Sequence, residues 1–355
     1  MAVIRTERAE VLWGAESTFG SQSGGPYKRF GIHDTIDAPD AELGWEPFFG
    51  VFSNRDRKTI LRGPSSFRGS VPDVRILGEG GSVDFLVNHI IGTPTPPSLV
   101  SPFTLYVAYR DTDNSKQLQR YWTGGKVNRA TVSAVEGQEL RMSVDEMLFM
   151  RELNFRGGND PGGSSPSDNA TDPGASTAGR FMFAQGSVQL GSICFPRIRR
   201  ISFTMDNQIE SHYYVQRDGT TGLLHPNDLI EGRRTWSADI DVDIVDPSSS
   251  SSAPATCPGG TTPGDLELWD FLINQGASGA GNSSATQGAQ IILQFNQAGF
   301  GEGSAVLTIT LGGNPTIANP SSVLRSAPHS IPAPPTGTVT TTGSFDVNEV
   351  TISQA

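Results

Sequence analysis

Three carboxylates, Asp239, Asp241 and Asp243, alternate with Ile240, Val242 and Ile244. A period of two puts the aspartates on one face of a β-strand and the apolar residues on the other. Such a row could bind calcium, supply a general acid and base, or form an acidic wall facing a polyanion; the plainer alternative is a solvated outer strand face. No histidine accompanies it and the spacing is not that of an EF-hand loop, so the wall and the solvated face outweigh metal binding and catalysis.

Other chemistry-bearing residues do not assemble. His33, His89, His212, His225 and His329 never fall at metal-ligand spacing with one another or with Cys194 and Cys257. Two cysteines make neither a disulfide framework nor a four-cysteine zinc site, and they read as isolated reduced thiols. The motifs of P-loops, nucleophile elbows and zinc proteases are missing. Gly78-Glu79-Gly80-Gly81-Ser82 reads as a flexible approach to a helix, with no strand before it and no lysine to complete a phosphate cradle. Asn169-Ala170-Thr171 and Asn282-Ser283-Ser284 fit the glycosylation pattern, but Met1 to Glu10 lacks an apolar signal core, so they mark only exposed loops. No catalytic residue, metal ligand or cofactor is expected, no enzyme activity, and no membrane span, since no run of ~18 apolar residues occurs.

The elements that must position these residues follow from composition. Of 355 residues, 41 are Gly and 24 Pro, an excess that requires frequent turns and favours many short strands over a helical bundle. With 26 basic and 37 acidic residues the net charge is −11, and most of the acidity lies after residue 155. A sequence-independent grip on a phosphate backbone needs clustered Lys and Arg, so a DNA-binding protein is disfavoured. Period-two alternation predicts half-buried strands at Phe103/Leu105/Val107/Tyr109, Leu140/Met142/Val144, Ile201/Phe203/Met205, Leu307/Ile309/Leu311 and Phe345/Val347. One short helix is predicted behind Ser82 as N-cap, with Val83, Leu86, Val87 and Ile90 on one face and Gly92 as its stop. A second follows Asp265, with Leu268, Phe271 and Leu272 inward and Gly276 as its stop.

Residues 156–180 are rich in Gly, Ser, Pro, Asp and Asn and read as a linker between a first domain, 1–155, and a second, 181–355. Residues 247–264 read as a Ser/Pro-rich surface insertion, and 276–288 are similar. The two sides of the linker match in order. Ile60-Leu61-Arg62-Gly63 with Phe67, Gly69 and Val71 aligns with Leu229-Ile230-Glu231-Gly232 with Trp236, Ala238 and Ile240, always 169 residues apart. Asp84-Phe85-Leu86-Val87-Asn88 aligns with Asp270-Phe271-Leu272-Ile273-Asn274 at 186, the difference being close to the length of the insertion. Phe85, Leu86, Phe271 and Leu272 are thus the expected cores of duplicated helices. In each copy a strand and a Gly-Gly turn follow, Gly124-Gly125 and Gly312-Gly313. The expected fold is mainly β: two tandem sandwich or barrel-like domains, each carrying one short α-helix.

Three segments carry a resemblance. Trp13-Gly14-Ala15-Glu16-Ser17-Thr18-Phe19-Gly20 is similar to an E-S-x-[FY]-G lead-in; Asp206-Asn207-Gln208-Ile209-Glu210 closes a strand in the pattern D-N-x-[IL]-E; Gly232-Arg233-Arg234 opens the next in the pattern G-x-R. Together they resemble the tail tube (major tail) proteins of long-tailed, non-contractile bacteriophages. The resemblance implies a structural virion protein, stacked as rings into a hollow tube whose lumen is lined by a continuous β-barrel, with no cofactor. A duplicated chain would make homo-trimeric rings of pseudo-six-fold symmetry. Tape-measure, tail terminator and distal tail proteins would be its partners, DNA would pass without specific binding, and assembly would occur in the host cytoplasm. An acidic wall at Asp239, Asp241 and Asp243 would suit the lumen, although the matching stretch 68–74 carries Arg68 and Asp73 and is no ladder. The rival readings are another β-rich virion component, such as a tail terminator or capsid decoration protein, and a carbohydrate-binding sandwich using Trp45, Trp122, Tyr213 and Tyr214.

Overall fold

The computed structural model describes residues 9–31, 35–48, 59–77, 81–92, 100–110, 117–156, 179–190, 193–194, 197–214, 225–243, 290–298, 306–312, 322–331 and 339–354. The second predicted helix, with Phe271 and Leu272, lies outside them, as do Cys257, the insertion 247–264 and both glycosylation-like triplets. Within them the chain is mainly β.

The first half holds β1 (Ala9–Ala15), β2 (Asp37–Phe48), β3 (Thr59–Arg75), the helix α1 (Gly81–Phe85), β4 (Phe103–Arg110), β5 (Gln117–Val135), β6 (Arg141–Phe149) and β7 (Arg151–Arg156). The second holds β8 (Arg180–Leu190), β9 (Ile193–Cys194), β10 (Ile198–Asp206), β11 (Glu210–His212), β12 (Asp228–Ile230), β13 (Thr235–Asp243), β14 (Ile291–Ala298), β15 (Val306–Leu311), β16 (Val323–Ser326), β17 (His329–Ser330), β18 (Thr340–Val347) and β19 (Val350–Gln354). Eight strands lie side by side in the order β2-β3-β6-β5-β10-β13-β18-β16, every neighbouring pair antiparallel. The halves meet where β5 pairs β10, from Val135 opposite Arg200 to Arg129 opposite Asp206. Over one side of this path lie β1-β4-β5-β7, β5 pairing β4 and β7 through its first part and β6 and β10 through its second; over the second half lies the sheet β19-β15-β14-β8-β9. A single apolar cluster joins the layers, with Phe85, Trp122 and Phe149 from the first half and Ile240, Phe295 and Phe345 from the second.

Several elements depart from the local reading. Gly124-Gly125 is no chain-reversing turn: β5 continues through it. Gly124 adopts φ +68, and a Cβ on Gly125 would sit 2.6 Å from the Phe149 ring and 2.7 Å from the Phe103 carbonyl oxygen. The pair is a bend that lets one strand serve two layers. β4 is buried on both faces, because Tyr27, Tyr121 and Leu12 cover the side of Tyr106 and Ala108 that alternation left to solvent. A strand does precede the Gly78–Ser82 segment, since β3 ends at Arg75.

The first helix forms where expected, but only Gly81–Phe85 is α; Leu86–Ile91 continues as a π-turn, with Gly92 N–H donating to the Val87 carbonyl at 2.9 Å. Gly92, at φ +69, ends it. Ser82 is not its cap. Its buried hydroxyl instead accepts the Leu77 N–H at 3.0 Å, closing the loop before the helix. Phe85 and Leu86 are fully buried. The widened turn carries His89 inward between Trp13, Phe85 and Phe103, with ring centroids 4.8, 5.2 and 5.3 Å away. Nδ1 lies 2.7 Å from the Ser101 carbonyl oxygen, and Nε2 has no hydrogen-bond partner among the described residues.

Burial lowers the His89 pKa from 6.5 to about 4. Below pH 6.5 the unfolded chain takes up a proton that the folded chain refuses until about pH 4, so stability falls through that window. The total loss should be about 3 kcal/mol. Urea titrations at pH 7 and pH 4 check it: the stability difference between wild type and His89→Gln should narrow by about that amount as pH falls.

The hairpins β2–β3 and β10/β11–β12/β13 share one register. Glu42 pairs Ser66 and Glu46 pairs Leu61; Asp206 pairs Thr235 and Glu210 pairs Ile230. Each residue of the second set lies 164 or 169 positions beyond its counterpart in the first. Both hairpins slip by one residue at the same place, around Gly44 in the first and Gln208 (φ +49) in the second. In the first half the strands run on through the slip, whereas in the second they break into β10 and β11, β12 and β13.

Candidate functional site

The aspartate row sits on β13, inside the sheet, between β10 and β18. Ile240 is fully buried and Val242 packs against the core, so Asp239, Asp241 and Asp243 take the opposite face. Each has a partner: Ser344 donates to Asp239 at 2.7 Å, Thr342 to Asp241 at 2.7 Å, and Arg199 pairs Asp243 at 2.6 Å. The hydrogen bond that Arg199 donates to Asp243 raises the Arg199 pKa. The face extends across both halves. Thr131 lies 3.1 Å from Thr204, and Ser143 and Thr131 both donate to Asp145. It is therefore a broad hydroxyl and carboxylate surface whose cations are largely paired, as Arg141 is with Asp73 and Arg68 with Glu146. No group of His, Cys, Asp and Glu among the described residues could hold a metal ion.

Where the halves join, the two C-terminal motif segments do the fastening. Asn207, 1% exposed, donates its side-chain N–H to the Val127 carbonyl at 2.8 Å and its backbone N–H to the Asn128 carbonyl at 2.8 Å. Its side-chain oxygen accepts from Arg234 Nε at 2.7 Å, and Arg234 reaches on to the Ile91 carbonyl at 2.6 Å. Burial pushes the Arg234 pKa down, against the pull of Glu231. Glu231 in turn pairs Lys126 at 3.3 Å and accepts the Val100 N–H at 3.1 Å. Gly232 is a glycine because a Cβ there would meet the Gln208 carbonyl oxygen at 2.6 Å. Beside these, Ile209 and Leu229 close over Leu148 of the first half, with Phe19 against them. Lys126 Nζ donates to the Leu229 carbonyl at 2.8 Å and the Tyr213 hydroxyl to the Ser65 carbonyl at 3.1 Å.

The N-terminal motif has an internal role. Glu16, 8% exposed, accepts from Gly20 N–H at 2.9 Å, Thr104 Oγ1 at 2.7 Å and Gly124 N–H at 2.8 Å. Burial raises its pKa despite these bonds. The carboxylate pins the N-terminal turn onto β4 and the β5 bend. Its place in the bend was invisible to local reading, since Thr104 and Gly124 lie about ninety and a hundred residues away.

A family model described as phage tail tube protein matches residues 6–292. The chain belongs to the phage tail tube protein family. No curated protein matches it. The family match spans all three motif segments and the aspartate row. A tail tube protein is a structural component of the virion tail that assembles with itself, and the mainly β architecture agrees. Of the aromatics in the carbohydrate reading, Trp122 is fully buried and Tyr213 and Tyr214 are exposed, at 41% and 55%. No helix among the described residues is long and apolar enough to cross a membrane. Local reading did not single out Glu42-Leu43-Gly44-Trp45-Glu46, which takes the same pairing register as Asp206–Glu210. The constant spacing of 164 was its signal, but with the central residues dissimilar only strand register brings it out.

Proposed function

We propose that three copies of the chain close into a ring, that rings stack into the tail tube, and that DNA leaves through the lumen without being held. In this reading residues 1–155 and 181–355, joined by the linker 156–180, are duplicated tube units that fill two of six places. Phe271 and Leu272 then belong to a second helix equivalent to that of Phe85 and Leu86. The observation that carries the reading is the repeated strand order with its shared register: β2-β3-β6-β5 is followed, edge to edge and in the same directions, by β10-β13-β18-β16. The layer β1-β4-β5-β7 has its parallel in β8-β14-β15-β19. The β5–β10 junction is the contact that neighbouring subunits of a ring would need.

Eight path strands per chain make a wall of about 24 in a ring of three, which at ~4.8 Å spacing and a tilt of about 35–45° is about 45–52 Å across between backbones, wide enough for a DNA duplex. The Asp239, Asp241 and Asp243 face lines that lumen, with tape-measure, terminator and distal tail proteins as the axial partners. Cryo-electron microscopy of purified tubes tests this. Three chains per ring with superposable halves is the expected result, and six chains per ring overturns it.

A further inference from the structure

The second half has a 710 Å³ cleft at the ends of β13, β16 and β18, with Trp236, Val323 and Val347 as its apolar lining and Arg233, Arg234, Arg325 and Asp346 as its charged lining. Strand register identifies its counterpart in the first half. Trp236 pairs Val347 as Phe67 pairs Phe149, and Asp346 pairs Val323 as Leu148 pairs Lys126. That counterpart is filled: Ile209 and Leu229 cover Leu148, and Lys126 binds Glu231 and the Leu229 carbonyl. The filling comes from the slipped hairpin of the other half. By the same register Ile209 and Leu229 correspond to Trp45 and Ile60 of the β2–β3 hairpin. That hairpin forms the far edge of the eight-strand path, so within one chain no half lies beyond it.

We infer that this cleft is the docking site for the β2–β3 hairpin of a second copy of the chain, with Trp45 and Ile60 at the register positions that Ile209 and Leu229 hold at the internal junction. The inference rests on the ring reading and deepens it by assigning the contact between chains. Directions agree, since β16 bears the same antiparallel relation to an incoming β2 as β5 bears to β10. One charged pair is exchanged relative to the internal junction. Lys126 is replaced by Val323 and Glu231 by Arg62, and the position of buried Leu148 is taken by Asp346, which carries the charge an incoming Arg62 requires. Arg325 pairs Asp346 within the chain and holds it there. At this one position Arg62 thus faces Asp346 between chains, where inside the chain Glu231 faces Lys126. The reversal disfavours the hairpin's folding back onto the wrong half.

Paired cysteines test the contact. Leu148→Cys with Leu229→Cys calibrates the geometry and should cross-link within a single chain under mild oxidation. Ile60→Cys with Asp346→Cys should cross-link between chains in assembled tubes, giving bands of two and three chain masses on a non-reducing gel; neither single variant should. If tubes with three chains per ring form and the internal pair closes but the second pair gives no ladder, the docking assignment fails while the ring reading stands. If the double variant does not assemble, Arg62→Asp and Asp346→Arg decide: each alone should slow tube formation at least ten-fold and the two combined should restore it. Single charge reversals that assemble at the wild-type rate overturn the assignment. Tubes with six chains per ring instead overturn the ring reading on which it rests.

Discussion

Glu16→Ala should cost the subunit about 3–5 kcal/mol of folding stability, because two buried N–H groups and a buried hydroxyl lose their common acceptor at about 1–3 kcal/mol each, less whatever water recovers. The donors are Gly20, Thr104 and Gly124, which hold the N-terminal turn, β4 and the bend of β5 together. Glu16→Gln keeps one carbonyl oxygen and should recover more than half the loss. Equilibrium urea unfolding of the unassembled subunit makes the measurement. A cost below ~1 kcal/mol for the alanine variant would show that the turn is held by something else. The pH dependence has its own sign. Since burial raises the folded pKa of Glu16 above the ordinary 4.5, its contribution is fully present below 4.5 and is lost as pH rises through the folded value. Glutamine at this position should therefore flatten the acid side of the stability profile.

Reversing charge on the aspartate face should leave the tube intact and impede DNA. Asp243 holds Arg199 at 2.6 Å, so a lysine there would create a repulsive pair within the subunit. The cleaner variant combines Asp239→Lys with Asp241→Lys, whose partners Ser344 and Thr342 can accept as readily as they donate. In rings of three this adds about a dozen units of positive charge per ring, each lysine that reaches a phosphate adding a counterion-release gain that weakens with salt. Infectivity should fall at least ten-fold at low salt and recover partly as salt rises, while negative-stain images show tubes of normal length. Normal DNA delivery by assembled double-lysine tubes would return this face to a plain solvated surface.

What could be read from residues alone was whatever depends on neighbours in sequence. Alternation marked β6, β10, β15 and β18 because period-two burial is a local property of an extended chain, and Gly92 marked the helix end because a left-handed residue suits glycine wherever it stands. The Glu16 and Asp206–Glu210 motifs were visible as residue patterns, though not what they hold. Only the tertiary structure decided that β4 is covered on both sides, since its second cover, Tyr27 and Tyr121, arrives from distant segments. It alone made Gly124-Gly125 a bend within one strand, through the close approach of Phe103 and Phe149. The cage around His89 on the widened turn Leu86–Ile91 is built by Trp13 and Phe103, which come from other segments of the chain. Register had the largest consequence: cross-strand pairing relates residues that sequence order separates, so the pairing register that Glu42–Glu46 shares with Asp206–Glu210, and Leu148 with Asp346, emerges only when the strands lie side by side.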